Sequence, residues 1–513
     1  MLIFCLGSEY FHQAFTKLGH SLLVTPHQDG FRVDSIFNQL QDRPDLLVYT
    51  DHLGQRAFPE GLSNIYGIPK VYYAVDTPIN FWWQKSFAPL FDFIFTDQKP
   101  YAEILRSEGL ESSWLPVGVD AKSYQSDDNQ KMAKLYDFGF VGVIDPARRP
   151  KRSRLVETLS NRYSVKTAGS RQDGWIDEEE SAQIYRQSRL ALNENLFPGV
   201  TTRMLEVMAS GSVLFTEKAG GDLGELFQAG EDFAWFEPQE LLGAADYWLG
   251  NDKRRRLTAK RALEKVRTKH DITNRAETLL NTVKRVNYGR AQVDREAWDN
   301  EGQSMFLTAL RWPQESGRER MSRAEKLLDQ ALEAETISNT GLFYLGHIKR
   351  MRRQLQPAEE HLTEAFERGE PRAALGLAFL NLGLGKLEQS KKWLVEFTQN
   401  DQIPTPERDT VPFEAVKSVG DRLLELGYDV TPGFSRMQHD PAIWTAFEFY
   451  QMAFRARPEH LETARSLASL LLNRGATAEA MEVAQKGLES HPDDEILGGI
   501  FTQAGRASYL TIN

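Results

Sequence analysis

The stretch PGVTTRMLEVMASG, residues 198–211, joins a polar loop to a short helical pattern. Thr201 and Thr202 precede the pattern, so the first backbone N–H groups of the helix are available to an anion. Arg203 lies in the first turn, where its charge opposes the helix dipole unless a bound anion offsets it. Glu206, one turn further on, offers a carboxylate to vicinal hydroxyls such as those of a ribose. The alternative is a surface Arg203–Glu206 ion pair, worth only a few tenths of a kcal/mol.

A basic loop follows a strand pattern in residues 140–159, FVGVIDPARRPKRSRLVETL. The strand ends at Gly142, and a helical pattern begins after the loop. Five cations lie in or just after this loop: Arg148, Arg149, Lys151, Arg152 and Arg154. Cations at a strand-to-helix turn suit a phosphate or diphosphate, and the alternative is a solvated charge run. The absence of GxGxxG and GxxxxGK[ST] motifs disfavours Rossmann dehydrogenases and P-loop NTPases.

Three aspartates end apolar runs in the first part of the chain, namely Asp51, Asp76 and Asp97. The carboxyl ends of parallel strands face the ligand crevice of an open α/β sheet, so these carboxylates are candidates for chemistry. An aspartate after a strand is also a common helix N-cap, and both interpretations stay open.

The elements that position these residues form two series of short apolar runs alternating with helical patterns, which is typical of parallel sheets covered by helices. A polar stretch at 120–134 separates the two series. We therefore predict two doubly wound α/β domains, at 1–122 and 135–288. The predicted strands are 1–7, 21–26, 45–51, 70–76, 91–97 and 112–118 in the first domain, and 136–143, 163–169, 189–195, 212–217 and 233–237 in the second.

The last third of the chain is helical and contains a repeat. AEKLLDQAL and AEEHLTEAF begin 34 residues apart, at 324 and 358, and AFEFYQMAFRARP and AMEVAQKGLESHP share that offset, at 446 and 480. This spacing resembles the tetratricopeptide repeat, whose helix pairs stack into a superhelix. The sequence thus predicts an all-α, TPR-like solenoid over 300–513, interrupted at 401–412, with an unrelated helical bundle as the alternative.

Composition narrows the functional classes. The net charge of −11 disfavours a general nucleic-acid binder, because phosphate affinity comes mainly from clustered cations. The single cysteine, Cys5, excludes an intramolecular disulfide and a cysteine-based zinc site. No run approaches the ~20 apolar residues of a transmembrane span, and the opening run is too short for a signal peptide. We expect a cytoplasmic protein.

Residues 184–227 resemble the C-terminal domain of GT-B-fold glycosyltransferases, and most of all the spore-maturation-protein-like (CgeB-type) family. The resemblance covers about residues 40–285. It implies a metal-independent transferase without a cofactor, whose second domain binds a nucleotide sugar, with a UDP-sugar as the expected donor. The matching positions are Tyr185, Leu192, Asn193, Arg203, Glu206, Gly211 and Glu217, together with Phe140, Val141, Gly142 and Arg152. With the loop residues, the predicted donor site is Gly142, Arg149, Lys151, Arg152, Asn193, Thr201, Thr202, Arg203, Glu206 and Glu217.

The same resemblance places a general base for the acceptor hydroxyl across the cleft, in the first domain. Asp76 in YYAVDTP is the first choice, followed by Asp51 and His52 in VYTDHLG. Retaining GT-B enzymes commonly carry a Glu-x7-Glu pair, of which Glu206 fits the second member. The first would fall at Pro198, which leaves the stereochemical outcome open.

Helical repeats mostly bind polypeptide, so the predicted acceptor is a protein, such as flagellin or another bacterial surface protein. The predicted function is therefore transfer of a sugar from a nucleotide diphosphate to a protein hydroxyl. The alternatives are a polysaccharide-building transferase, an inactive sugar-nucleotide-binding scaffold and a sugar-nucleotide epimerase. The oligomeric state also stays open.

Overall fold

A computed structural model of the chain describes residues 1–25, 31–51, 58–125, 133–145, 149–169, 176–195, 199–218, 222–285, 295–311, 315–400, 412–425, 446–473 and 476–509. Three residues of the sequence-based interpretation, His52, Arg148 and Pro198, lie outside these ranges.

The first unit is built on a six-stranded parallel sheet with the order β2-β1-β3-β4-β5-β6. The central strands are buried on both faces, which explains why their sequences are almost continuously apolar, whereas the edge strand β2 is partly exposed. Its strands are β1 (Leu2–Gly7), β2 (Ser21–Val24), β3 (Leu46–Thr50), β4 (Lys70–Ala74), β5 (Phe93–Thr96) and β6 (Ser112–Trp114). Its helices are α1 (His12–Lys17), α2 (Val33–Phe37), α3 (Thr77–Phe87) and α4 (Lys99–Ser107).

The second unit has a five-stranded parallel sheet with the order β11-β10-β9-β7-β8. Each of the eleven predicted strands overlaps an observed strand, and the α/β class of both units is confirmed. The strands are β7 (Tyr136–Val141), β8 (Val165–Ala168), β9 (Ser188–Asn193), β10 (Val213–Glu217) and β11 (Ala234–Phe236). The helices are α5 (Pro150–Ser160), α6 (Glu178–Gln187), α7 (Thr202–Ala209), α8 (Asp222–Leu226), α9 (Leu241–Gly250), α10 (Asp252–Lys265) and α11 (Ile272–Val283).

Helix α11 returns to the first unit. Its buried residues, among them Ile272, Ala276 and Leu279, share a core cluster with Ile3 and Phe15 of the first unit. The sequence-based division at 135–288 assigned this helix to the second unit, because an amphipathic pattern does not reveal which sheet its apolar face covers. Its packing assigns it to the first.

The two chain crossings between the units run side by side. Val119 forms a parallel bridge with Asp271, the Val119 N–H donates to the His270 carbonyl at 3.3 Å, and the Ile272 N–H donates to the Val119 carbonyl at 3.0 Å. Residues just after this crossing are also ordered against the second unit, since Tyr124, within the predicted linker, is buried in that unit's core. The segment is therefore only partly a linker.

The third region is helical throughout its described part. Successive helices pack against one another, and small residues sit at the contacts: Gly346 lies against Leu362, and Gly302 against Leu328. The assignment to tetratricopeptide-like repeats stays a prediction, and the predicted interruption lies almost wholly outside the described residues. The helices are α12 (Glu296–Arg311), α13 (Glu315–Glu333), α14 (Asn339–Met351), α15 (Leu355–Glu367), α16 (Arg372–Gly383), α17 (Leu387–Asn400), α18 (Pro412–Glu425), α19 (Ala446–Ala456), α20 (Leu461–Asn473), α21 (Thr477–Ser490) and α22 (Glu495–Tyr509). In the described parts of the whole chain, none of the helices has the length and apolarity needed to cross a membrane.

Helix α12 fixes this helical region to the first unit. The Glu301 carboxylate is fully buried and accepts hydrogen bonds from the backbone N–H groups of Gly61 and Ser63, the latter at 3.0 Å. Apolar residues of α3 and α12, including Trp83 and Leu307, belong to one buried cluster. The array is therefore anchored beside the first sheet.

We expect Glu301→Ala to loosen this anchor, because two buried backbone N–H groups lose their acceptor, at a cost of about 2–4 kcal/mol. Hydrogen–deuterium exchange of the Gly61 and Ser63 amides should accelerate, and the thermal midpoint should fall. Glu333→Ala, an exposed change in the neighbouring helix α13, is the control. Unchanged exchange at both amides in the Glu301 variant would contradict the anchoring role.

Candidate functional site

Arg203 is the centre of a cluster at the carboxyl ends of β7 and β9. Its Nε donates to the Val141 carbonyl at 3.0 Å and its Nη1 to Asn193 Oδ1 at 3.3 Å. The guanidinium lies over the Phe140 ring, 5.1 Å from its centroid. A Cβ on Gly142 would come within 2.8 Å of Arg203 Nη2, so only glycine leaves room for this arrangement. These two hydrogen bonds join Arg203 to the ends of β7 and β9. They do not fit the alternative of a surface ion pair with Glu206.

Glu206 lies within electrostatic range of Arg203, and both side chains interact with Tyr185. It is half-buried beside Tyr124 and Tyr185. Burial raises the pKa of Glu206 above its usual value, while Arg203 and a hydrogen bond from Tyr124 act in the opposite direction. Sequence reasoning missed Tyr124, and the one signal for it was an aromatic residue in an otherwise polar stretch.

The basic loop is held by two glutamates at neighbouring strand ends. Arg152 Nε donates to Glu194 Oε2 at 3.1 Å, and Lys151 Nζ lies 2.7 Å from Glu217 Oε2. Arg149 Nη1 lies 3.9 Å from the same Glu194 oxygen. Burial and the charge of Arg203 lower the pKa of Arg152 to about 10. Glu194 was not among the predicted donor-site residues, and the structure makes it a partner of the loop cations.

The start of α7 meets the first unit. Thr201 occupies the N-cap position, but its side chain makes no capping hydrogen bond, and Thr202 is exposed. Gln98 of the first unit donates from Nε2 to the Val200 carbonyl at 3.3 Å. A Cβ on Gly199 would lie 1.8 Å from Gln98 Oε1, so a glycine permits the close approach of the two units here.

Asp76 has an unusual backbone and an uncommitted side chain. Its φ of 48° is left-handed, a conformation that non-glycine residues rarely adopt outside strained or functional positions. Its position is the N-cap of α3, yet Asp97 does the capping: Asp97 Oδ2 accepts the Asp76 N–H at 2.8 Å, and Asp97 Oδ1 accepts the Thr77 hydroxyl at 3.0 Å. Among the residues that the structure describes, the Asp76 carboxylate accepts no hydrogen bond.

The Asp76 carboxylate interacts electrostatically with charged residues of both units. Burial, followed by the charges of Asp97 and Asp51, raises the pKa of Asp76 to about 7. Arg149 of the second unit acts in the opposite direction, so the two side chains lie within electrostatic range of each other. The structure thus brings together a carboxylate of the first sheet edge and the basic loop of the second.

Asp51 is directed inward. Its Oδ2 accepts hydrogen bonds from the Tyr72 hydroxyl at 2.7 Å, from Gln84 Nε2 at 2.6 Å and from the Val75 N–H at 3.2 Å. These bonds make Asp51 a support of the β4–α3 turn, behind Asp76. Asp51 therefore differs from the solvent-accessible general base that the sequence predicted. Within the described ranges, no group of three or more His, Cys, Asp or Glu side chains has a metal-binding arrangement.

Residues 148–281 match the protein family described as Glycosyl transferase-like. The match covers most of the second unit, from the basic loop through α10, and most of α11, which packs on the first unit. None of the curated proteins matches the chain.

Several solved structures resemble about half of the chain. Anabaena HepE in complex with UDP is 14% identical, with 55% of this chain and 100% of that chain covered and a TM-score of 0.39. Sucrose-phosphate synthase from Thermosynechococcus elongatus is 13% identical, over 56% of this chain and 100% of that chain, with a TM-score of 0.40. The pneumococcal O-GlcNAc transferase GtfA in complex with UDP and GlcNAc is 12% identical, over 50% and 59%, with a TM-score of 0.36.

We expect Asp76→Asn to raise the thermal midpoint at pH 8 and to change it little at pH 4. The pKa of Asp76 is raised from 3.8 to about 7 in the folded chain, so the cost of the buried charge grows as the pH rises through this window and is absent below it. Asparagine tolerates the left-handed backbone, so the substitution tests charge alone. Thermal unfolding at the two pH values measures the effect.

Asp493→Asn removes an exposed carboxylate and serves as the control. An equal gain for Asp76→Asn at both pH values would contradict a raised pKa at that position.

Proposed function

We propose that the chain is a glycosyltransferase that moves a sugar from a nucleotide diphosphate, in the first place a UDP-sugar, to a hydroxyl of a protein. The observation that carries the proposal is the uncommitted Asp76 carboxylate facing Arg149 of the basic loop across the cleft. The similarity of residues 148–281 to glycosyl transferase-like proteins supports the reaction class.

The donor side would lie at the edge formed by β7, β9 and the start of α7. Arg203, Arg152 and Arg149 supply positive charge for the departing diphosphate, together with the N–H groups of the first turn of α7. A diphosphate at this edge competes with Glu194 for Arg149 and Arg152, since that carboxylate already lies against both. Glu206 is placed to accept hydrogen bonds from ribose hydroxyls.

Asp76 would act as the general base. As the acceptor oxygen bonds to the anomeric carbon and the bond to the diphosphate breaks, the hydroxyl proton passes to the Asp76 carboxylate. A pKa of about 7 suits a base that must accept a proton near neutral pH. Asp97 and Asp51 act through the backbone and the local field, as positioning residues.

The same proposal includes the location, the metal independence, the subfamily and the acceptor of the enzyme. The enzyme works in the cytoplasm without a metal ion, is of the CgeB type, and uses its helices as TPR-like repeats to engage a protein such as flagellin. The anchoring of α12 beside the first sheet supports an acceptor role for the array, because it fixes the helices next to the side of the cleft that carries Asp76.

A sugar-nucleotide-binding scaffold without transferase activity is the second candidate. It is favoured by Pro198, which stands in the sequence where a retaining enzyme of the resembled family would carry a glutamate. The two candidates share donor binding and differ in turnover.

We expect Arg203→Ala to weaken UDP binding at least about tenfold, because a charge-assisted hydrogen bond to phosphate and the position of the Gly142 turn are both lost. Isothermal titration calorimetry with UDP measures the change. Arg189→Ala, which removes an exposed arginine paired with Asp137 on the same unit, is the matched control. Equal UDP affinity in wild type and the Arg203 variant would exclude this donor site.

We expect Asp76→Asn to lower sugar transfer by about 10²–10⁴-fold while UDP affinity stays the same, because only the base is lost. Transfer by the wild type should decline as the pH falls below about 7, where Asp76 becomes protonated. Release of UDP and incorporation of radiolabelled sugar, with a panel of UDP-, GDP-, dTDP- and CMP-sugars, are the assays. Binding of a nucleotide without turnover in wild type would favour the scaffold.

A further inference from the structure

A groove of about 850 Å³ separates the first unit from the helical array. One wall is formed by α3 and α4, through residues such as Phe81, Lys85 and Glu108, and the other by α12 and the α13–α14 connection, through Asn300 and Glu335. Neither the transfer reaction nor the donor site uses this groove.

The groove runs along α3, the helix that follows Asp76. Helix α3 begins directly after Asp76, and its second turn presents Phe81 to the groove. The Phe81 ring lies 5.0 Å from that of Tyr101, and burial and the charge of Asp97 raise the pKa of Tyr101, which places this aromatic pair between the groove and the aspartates. From Asp76 to Phe81, the helix rises about 8 Å, a distance that an extended chain spans in roughly two to three residues.

The two walls are joined at the floor by a hydrogen-bonded network. The Ser86 hydroxyl of α3 donates to Gln303 Oε1 of α12 at 3.1 Å, and Gln303 Nε2 donates to Asp299 Oδ2 at 2.8 Å and to the Ser338 hydroxyl at 3.0 Å. With the Glu301 anchor, these bonds hold the walls at a fixed separation. The groove is therefore a permanent feature of the described chain.

The charges of the lining favour a cationic occupant. Four carboxylates line the groove, Glu108, Glu296, Asp299 and Glu335, against two cations, Lys85 and Arg372. Lys85 Nζ lies 2.6 Å from Glu108, and Arg372 Nε donates at 2.6 Å to Glu370, which lies outside the lining. The local field is thus negative, which attracts lysine or arginine side chains and gives no advantage to a neutral saccharide.

We propose that this groove holds an extended segment of the acceptor protein with lysine or arginine next to the modified residue. The inference rests on the proposed function, because it assigns the acceptor of the same site. The segment lies along α3 and extends past its N-terminal end, where its hydroxyl residue reaches Asp76, and its cationic residues approach Glu335. Asn300 lies midway and offers a carboxamide to the backbone of the segment.

Fluorescence anisotropy with two labelled dodecapeptides tests the proposal on the full chain. Each peptide carries one threonine. In the first peptide the threonine is flanked by lysine, glycine and alanine, and in the second every lysine is replaced by glutamate. At about 50 mM salt, we expect the lysine peptide to bind at least about tenfold more tightly. Glu335→Lys should weaken its binding about threefold, and Asn300→Trp, which fills the groove, at least about tenfold.

Glu479→Lys makes the same charge change on α21, outside the groove lining, and should leave the affinity unchanged, which separates groove binding from general attraction to an acidic protein. UDP binding, measured in parallel, should be the same in all three variants. Labelled maltoheptaose serves as the saccharide probe.

Equal or absent binding of the two peptides, or lysine-peptide binding that Asn300→Trp leaves intact, overturns the groove proposal while UDP binding still supports the transferase. Binding of maltoheptaose that Asn300→Trp abolishes overturns it in favour of a saccharide acceptor. Failure of the wild type to bind UDP is a different result, which defeats the proposed function itself.

Discussion

The return of α11 to the first unit is the constraint on which the rest of the structure depends. Its apolar face completes the first core, so the chain must cross between the units a second time, directly beside the first crossing. Arg275 secures this point: its Nη2 lies 2.7 Å from His270 Nδ1, and burial and this guanidinium lower the pKa of His270 to about 4. Two adjacent crossings leave the carboxyl edges of the two sheets facing one another.

The facing edges carry opposite charge. On either edge alone, the buried charges would cost free energy of folding. On the first edge, burial raises the pKa values of Asp51, Asp76 and Asp97, and the charge of Asp97 raises those of Asp51 and Asp76 further. On the second edge, burial lowers the pKa values of Arg149 and Arg152. Opposition across the cleft offsets part of both costs, and the left-handed backbone of Asp76 adds local strain. Shifted pKa values and backbone strain at one place are typical of a functional site.

The described contacts of the helical array tie it to the unit that carries Asp76. The buried Glu301 carboxylate and the Ser86–Gln303 contact tie α12 to the first sheet. Any movement of the second unit against the first would therefore leave the array, its groove and the acceptor side as one body.

The sequence by itself determined the strands: eleven apolar runs overlap the observed strands, and Asp76 and the basic loop follow strands because those runs stop there, while Arg203 falls in the first turn of α7. The sequence did not determine which residues of the chain contact one another. That α11 covers the first sheet, that Asp51 bonds inward to Tyr72 and Gln84, and that Glu194 holds Arg152 were decided by the tertiary structure. Local patterns encode which face of an element is apolar. The residue that meets that face is chosen by packing between segments more than 100 residues apart, as in the contact of Gln98 with Val200.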